Sequence, residues 1–124
     1  MVLYNSPSEY LYHMYTCTSS EAKRLWRKTI KEKWDYKCAY CESSEELTID
    51  HVVPQSKGGS DFTTNTVCCC KNCNQSKGHT PVEEWYRKQS FFSQQRLNKI
   101  KEWTAGETAK PQLYTYGKRT NKLI

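Results

Sequence analysis

At 124 residues the chain has room for one domain with a modest core and too few residues for two. A hydrophobic fraction of 36% makes that core thin, and 13% aromatics argue against disorder, because such rings need burial or a partner. No apolar run approaches the roughly 20 residues that cross a bilayer, so no membrane partner is expected.

A net charge of +6 suits a polyanionic partner such as a nucleic acid, or simply a solvated basic surface. Charge alone leaves both open. Met1 to Tyr15 has neither a basic n-region nor an apolar h-region, so no secretory signal is expected. A reducing cytoplasm follows as the expected setting, and there paired cysteines read as metal ligands before disulfides.

In chain order, residues 1–17 are Tyr-rich and patternless, an irregular lead-in with His13 and Cys17 incidental. Thr18-Ser-Ser-Glu21 is a capping box. It predicts a helix to about Trp34 whose apolar stripe is Trp26, Ile30 and Trp34, with Leu25 alongside. Lys23, Arg24, Arg27, Lys28, Lys31 and Lys33 fall on the other face, where they suit either solvent or phosphate.

Tyr36 to Cys41 reads as a tight turn, and Glu42 to Glu46 as an exposed acidic loop. Leu47 to Val53 is β-branched and apolar, a strand ended by Pro54. Gln55 to Thr64 is a loop in which Gly58 and Gly59 supply positive φ, and Asn65 to Cys70 is the return strand of an antiparallel hairpin. A short helix opening at Cys73 should end at Gly78. Thr80-Pro-Val-Glu83 predicts a further capped helix to about Gln89. Either Ser90 to Ser93 breaks it and Ser93 caps another helix carrying Leu97, Ile100 and Trp103, or one bent helix spans both.

The expected organisation is one α+β domain over 1–104, with its core at 36–80, flanking helices at 20–34 and 81–104, and a basic tail at 105–124. Tyr114, Tyr116, Lys110, Lys118, Arg119 and Lys122 lie in that tail and could follow a nucleic acid.

Cys38-x2-Cys41-x28-Cys70-x2-Cys73 supplies four thiolates in two knuckles, the donor set of tetrahedral structural zinc. Such an ion would join the feet of the hairpin. Cys68 and Cys69 lack the two-residue spacing and read as small strand residues.

Between the knuckles stand Asp50-His51 and Asn65, and Asn74 follows at once. At this point residues 38–78 resemble the HNH family of endonucleases, through Leu47-Thr-Ile-Asp-His-Val-Val-Pro54, Lys57-Gly-Gly-Ser-Asp61, Asn65 and Cys70-x-x-Cys73-Asn74-x-x-Lys77-Gly78. The resemblance implies a zinc-stapled ββα-metal (treble-clef-like) fold that hydrolyses phosphodiesters, usually in DNA, with one divalent ion. It makes His51 the general base on water, gives Asp50 and Asn74 as oxygen ligands of the ion, and has Asn65 orient His51 and steady the hairpin. Two positions depart from the pattern: Asn74 where many members carry His, and Glu42 where Gly is common.

The chemistry agrees. Imidazole, ordinarily titrating near about 6.5, accepts a proton near neutral pH. Carboxylate and amide oxygens suit magnesium or manganese. Lys57, Lys77 and His79 are candidate phosphate contacts, with solvated side chains as the plainer reading. Because neighbouring strand residues face opposite ways, the backbone is expected to leave regular β geometry at 50–51, or the ladder to stop there.

Two other functions fit the same residues: a non-catalytic zinc module that binds DNA or RNA, and a zinc domain that binds protein through its aromatics. A free-standing nuclease of this family would suit a phage or another mobile element, with the host cytoplasm as its setting. Oligomeric state is not legible.

Overall fold

The computed structural model describes residues 3–13, 18–60 and 62–106. The tail beyond residue 106, Cys17 and Asp61 of the matched motif lie outside the described residues.

The chain runs α1 (Pro7–His13), α2 (Ser19–Lys33), β1 (Leu47–His51), β2 (Thr66–Cys70), α3 (Lys71–Lys77), α4 (Val82–Tyr86) and α5 (Gln94–Thr104), with short 3-10 turns at Gln55–Lys57 and Thr63–Asn65. It is an α+β arrangement of helices around a two-stranded antiparallel sheet.

Part of the expected lead-in is a helix. Pro7 opens α1, where its missing donor costs nothing, and the Ser6 hydroxyl accepts from Glu9 N at 3.4 Å. Tyr10 is fully buried, and its ring meets Tyr4 edge-on at 4.9 Å. The signal was a Ser-Pro pair that Tyr-rich surroundings obscured.

The capping box of α2 forms as expected, Thr18 Oγ1 accepting from Glu21 N at 3.2 Å and Glu21 Oε1 from Thr18 N at 2.9 Å. Trp26, Ile30 and Trp34 are all buried, while Lys23, Arg24, Arg27, Lys28 and Lys33 are exposed. The helix thus shows solvent a basic face. Its Trp34 meets Trp103 of α5 at 5.5 Å. The Trp103 indole donates to Thr66 O at 2.6 Å, so α2 and α5 close on the loop end of β2.

Every residue of β2 is buried. The hairpin pairs Leu47 with Cys70 and His51 with Thr66. It turns through Gly58, which takes φ 89°. Gly59 serves differently from expectation: a Cβ there would fall 1.7 Å from Val53 O, so close approach rather than positive φ requires glycine.

Helix α3 starts at Lys71, before Cys73, because Cys70 is its cap and takes Cys73 N on its sulfur at 3.4 Å. Gly78, at φ 52°, ends it. The second capping box does not form: Pro81 occupies the cap position without a side-chain bond, and α4 stops at Tyr86. Ser93 caps α5 through Arg96 N at 3.2 Å, so of the two expected arrangements the one broken near Ser90 forms.

Candidate active site and metal centre

The two knuckles meet. The sulfurs of Cys38, Cys41, Cys70 and Cys73 all lie within 4.8 Å of one another, and those of Cys41 and Cys70 are 3.7 Å apart. A tetrahedron with Zn–S bonds of about 2.3 Å has edges of about 3.8 Å, so the set fits zinc. Cys68 and Cys69 are buried strand residues outside the set, as expected.

Backbone bonds hold the first knuckle on the sheet. Ala39 N donates to Cys68 O at 2.8 Å, and Cys38 N to Ser43 O at 2.8 Å. Glu42 has φ 67°, a left-handed backbone that explains why glycine suits this position. Its carboxylate instead takes Arg96 at 2.8 Å. The same guanidinium donates to Ala39 O at 2.7 Å and Cys38 O at 3.1 Å, tying α5 to the knuckle.

A hydrogen bond from Cys69 holds the Cys38 thiol down to about 4, while burial pushes Cys41 up to about 11 and Cys73 upward too. Loading an ion therefore releases protons from Cys41 and Cys73.

Asp50 and His51 both stay in the ladder, opposite Val67 and Thr66, so the backbone does not break at 50–51. The ladder ends directly after His51, where Val52 N donates to Asn65 O at 2.7 Å. Asp50 is buried in this strand, and His51, its last residue, is half-buried.

The Asp50 carboxylate is buried. It accepts from Tyr40 Oη at 2.9 Å, and Lys77 Nζ lies 3.3 Å from Oδ1 and 3.2 Å from Oδ2. Burial raises its pKa, opposed by the Lys77 charge and the Tyr40 hydrogen bond. Tyr40, from the middle of the first knuckle, is a site residue that spacing arguments passed over. The signal available was an aromatic between two ligands, whose buried hydroxyl needs an acceptor.

Lys77 corrects the expectation of an exposed phosphate contact. Only 1% of it is accessible, because its ammonium is drawn into the interior by Asp50 and also donates to His51 O at 3.3 Å. Asn74, one turn earlier on α3, is half-buried and borders a shallow cavity with Glu46, Leu47, Thr48, Lys71 and Gln75. The hairpin and α3 thus bring Asp50, Lys77 and the His51 carbonyl together.

Asn65 clamps the loop. Its Oδ1 accepts from Val53 N at 2.9 Å, and its Nδ2 donates to Val53 O at 3.1 Å and Ser60 O at 2.8 Å. These bonds steady the hairpin, and they go to main chain rather than to the imidazole. Asn65→Ala is expected to loosen residues 53–60 by about 1–3 kcal/mol of local stability, read as faster amide exchange at Val53. Unchanged exchange there would contradict the clamp.

Lys57 and His79 are exposed on neighbouring segments, joined by a 3.1 Å contact between Ser56 Oγ and His79 Nδ1. The two candidate contacts therefore share one side of the molecule.

Residues 38–90 match the family model described as HNH endonuclease. That stretch is similar to HNH endonucleases. The HNH match extends past the hairpin and α3 through α4. The chain is 40% identical over 71 residues to a CRISPR-associated endonuclease Cas9 of Corynebacterium diphtheriae, covering 54% of this chain and 6% of that protein. It is 35% identical over 91 residues to the SPbeta prophage-derived putative HNH endonuclease YoqL of Bacillus subtilis, covering 63% of this chain and 39% of that one. The crystal structure of the Type II-C Cas9 enzyme from Actinomyces naeslundii superposes with a TM-score of 0.48 at 24% identity, over 69% of this chain and 11% of that one. The chain thus spans well under half the length of these curated relatives. No helix among the described residues is long and apolar enough to cross a membrane.

Proposed function

We propose that the HNH-like stretch makes this chain a metal-dependent endonuclease that hydrolyses phosphodiester bonds in DNA. The observation that carries the reading is a cation seat beside the strand-end histidine. Asp50 Oδ1, Asp50 Oδ2 and His51 O all lie within 3.3 Å of one ammonium nitrogen. Three hard oxygens around a positive charge form a donor set that suits magnesium or manganese, and Lys77 stands in for such an ion.

In this reading Asp50, the His51 carbonyl and Asn74 would hold the divalent ion. When bound, it supplies positive charge against the phosphate and the leaving 3′ oxygen. The His51 imidazole, half-exposed where the ladder ends, takes the proton from the attacking water. Lys57, His79 and the exposed basic face of α2 bind backbone phosphates. The four cysteines hold a structural zinc, and the setting is the cytoplasm, where their thiols stay reduced.

The Lys77–Asp50 pair also favours a second reading, a non-catalytic zinc module that binds nucleic acid, since it neutralises Asp50 without any ion. Supercoiled plasmid incubated with the zinc-loaded protein separates the two. Nicked or linear products with magnesium or manganese, absent when neither ion is added, are expected. Binding without any cleavage would establish the second reading.

A further inference from the structure

Lys77 is an unusual lysine. Its side chain is fully buried at the end of α3, and its charge is met by both oxygens of Asp50 and one backbone carbonyl. An ammonium is seldom taken out of water, and here a single carboxylate balances it. The N–O distances of 3.2–3.3 Å are those of ammonium contacts. Magnesium would draw oxygens to about 2.0–2.1 Å.

One carboxylate cannot serve both cations. A divalent ion on Asp50 would sit within a few ångströms of the ammonium, and like charges that close in a buried site repel strongly. Lys77 is placed to yield. It closes α3, Gly78 follows at φ 52°, and a four-carbon stem lets the ammonium swing toward water without moving the helix.

We propose that Lys77 is an exchangeable internal cation, its ammonium filling the Asp50–His51 oxygen seat until a divalent ion displaces it. The inference rests on the reading of that seat as the ion's own. Lys77 then acts as a positioning residue: it keeps Asp50 ionised and the foot of α3 on β1 before loading, and it sets the ion concentration at which loading occurs. Tyr40, donating to Asp50 Oδ2 at 2.9 Å, keeps the carboxylate oriented in both states.

The test is Mn2+ binding to the zinc-loaded full chain, followed by electron paramagnetic resonance and calorimetry, for wild type, Lys77→Met and the exposed control Lys88→Met. Lys77→Met should bind Mn2+ at least tenfold more tightly than wild type, and Lys88→Met like wild type. Equal or weaker binding by Lys77→Met, or no Mn2+ bound by any of the three, overturns the exchange. Should Lys77→Met fail to fold, lysine acetylation of wild type decides instead. Lys77 of the zinc-loaded protein should resist acetylation without added Mn2+ and become modified at saturating Mn2+, and protection unchanged by Mn2+ overturns the proposal. Neither readout uses cleavage. A protein that nicks plasmid yet shows no exchange refutes this inference alone, and one that exchanges cations yet never cuts refutes the nuclease reading alone.

Discussion

His51→Ala is expected to slow plasmid cleavage by about 10^2–10^4-fold, the usual contribution of a general base, while DNA binding and zinc content stay as in wild type. The fold should survive because the strand end is held by main chain: His51 O accepts from Lys77, and Val52 N donates to Asn65 O. Neither bond needs the imidazole. His51 is half-buried at the last pair of the ladder. Nicking rates at saturating Mn2+, set beside a gel-shift affinity and a thermal melt, check the expectation. Turnover at the wild-type rate would remove His51 from the role of base.

The largest effect on stability is expected from Cys73→Ser or from chelation of the zinc. Four sulfurs join three separate pieces of chain: the knuckle after α2, the end of β2 and the first turn of α3. Structural zinc in comparable all-protein sites contributes about 10–16 kcal/mol of apparent binding energy at neutral pH, as much as a whole domain's usual stability of about 5–15 kcal/mol. Cys73→Ser should therefore lose its zinc and melt without a cooperative transition at room temperature. Cys68→Ser, outside the cluster, should keep a full complement. The pH dependence follows from the thiols: Cys41 is pushed up to about 11 by burial, so binding displaces its proton, and falling pH must favour the metal-free protein. Zinc release on acidification, followed with a chromogenic chelator, is the expected result. One zinc per chain in Cys73→Ser would contradict the ligand set.

Much of this was legible beforehand because local chemistry and tertiary structure agree. The Thr18–Glu21 box, the Trp26–Ile30–Trp34 stripe, the knuckle spacing and the hairpin all express short-range rules that packing leaves intact. Expectation failed where a residue's environment comes from distant chain. Lys77 looks like a surface lysine until Asp50, 27 positions away, is seen to draw it inside. Thr80 looks like a cap until Pro81 takes that position and leaves it without a side-chain bond. Of the two expectations for 50–51, the irregular backbone does not form and the end of the ladder does, because the interior supplies Asp50 with its own cation and hydroxyl within a regular strand.

The reach of Arg96 bears on where this module can be cut. The family match ends at residue 90, yet a guanidinium from α5 braces two carbonyls of the first knuckle and the acid beside it, and Trp103 closes the hydrophobic floor under β2. A transplanted segment 38–90 would carry all four sulfurs and the histidine but leave the knuckle unbraced and a tryptophan-sized hole beneath the sheet. The portable unit in protein fusions is accordingly longer than its recognisable signature, extending at least through α5.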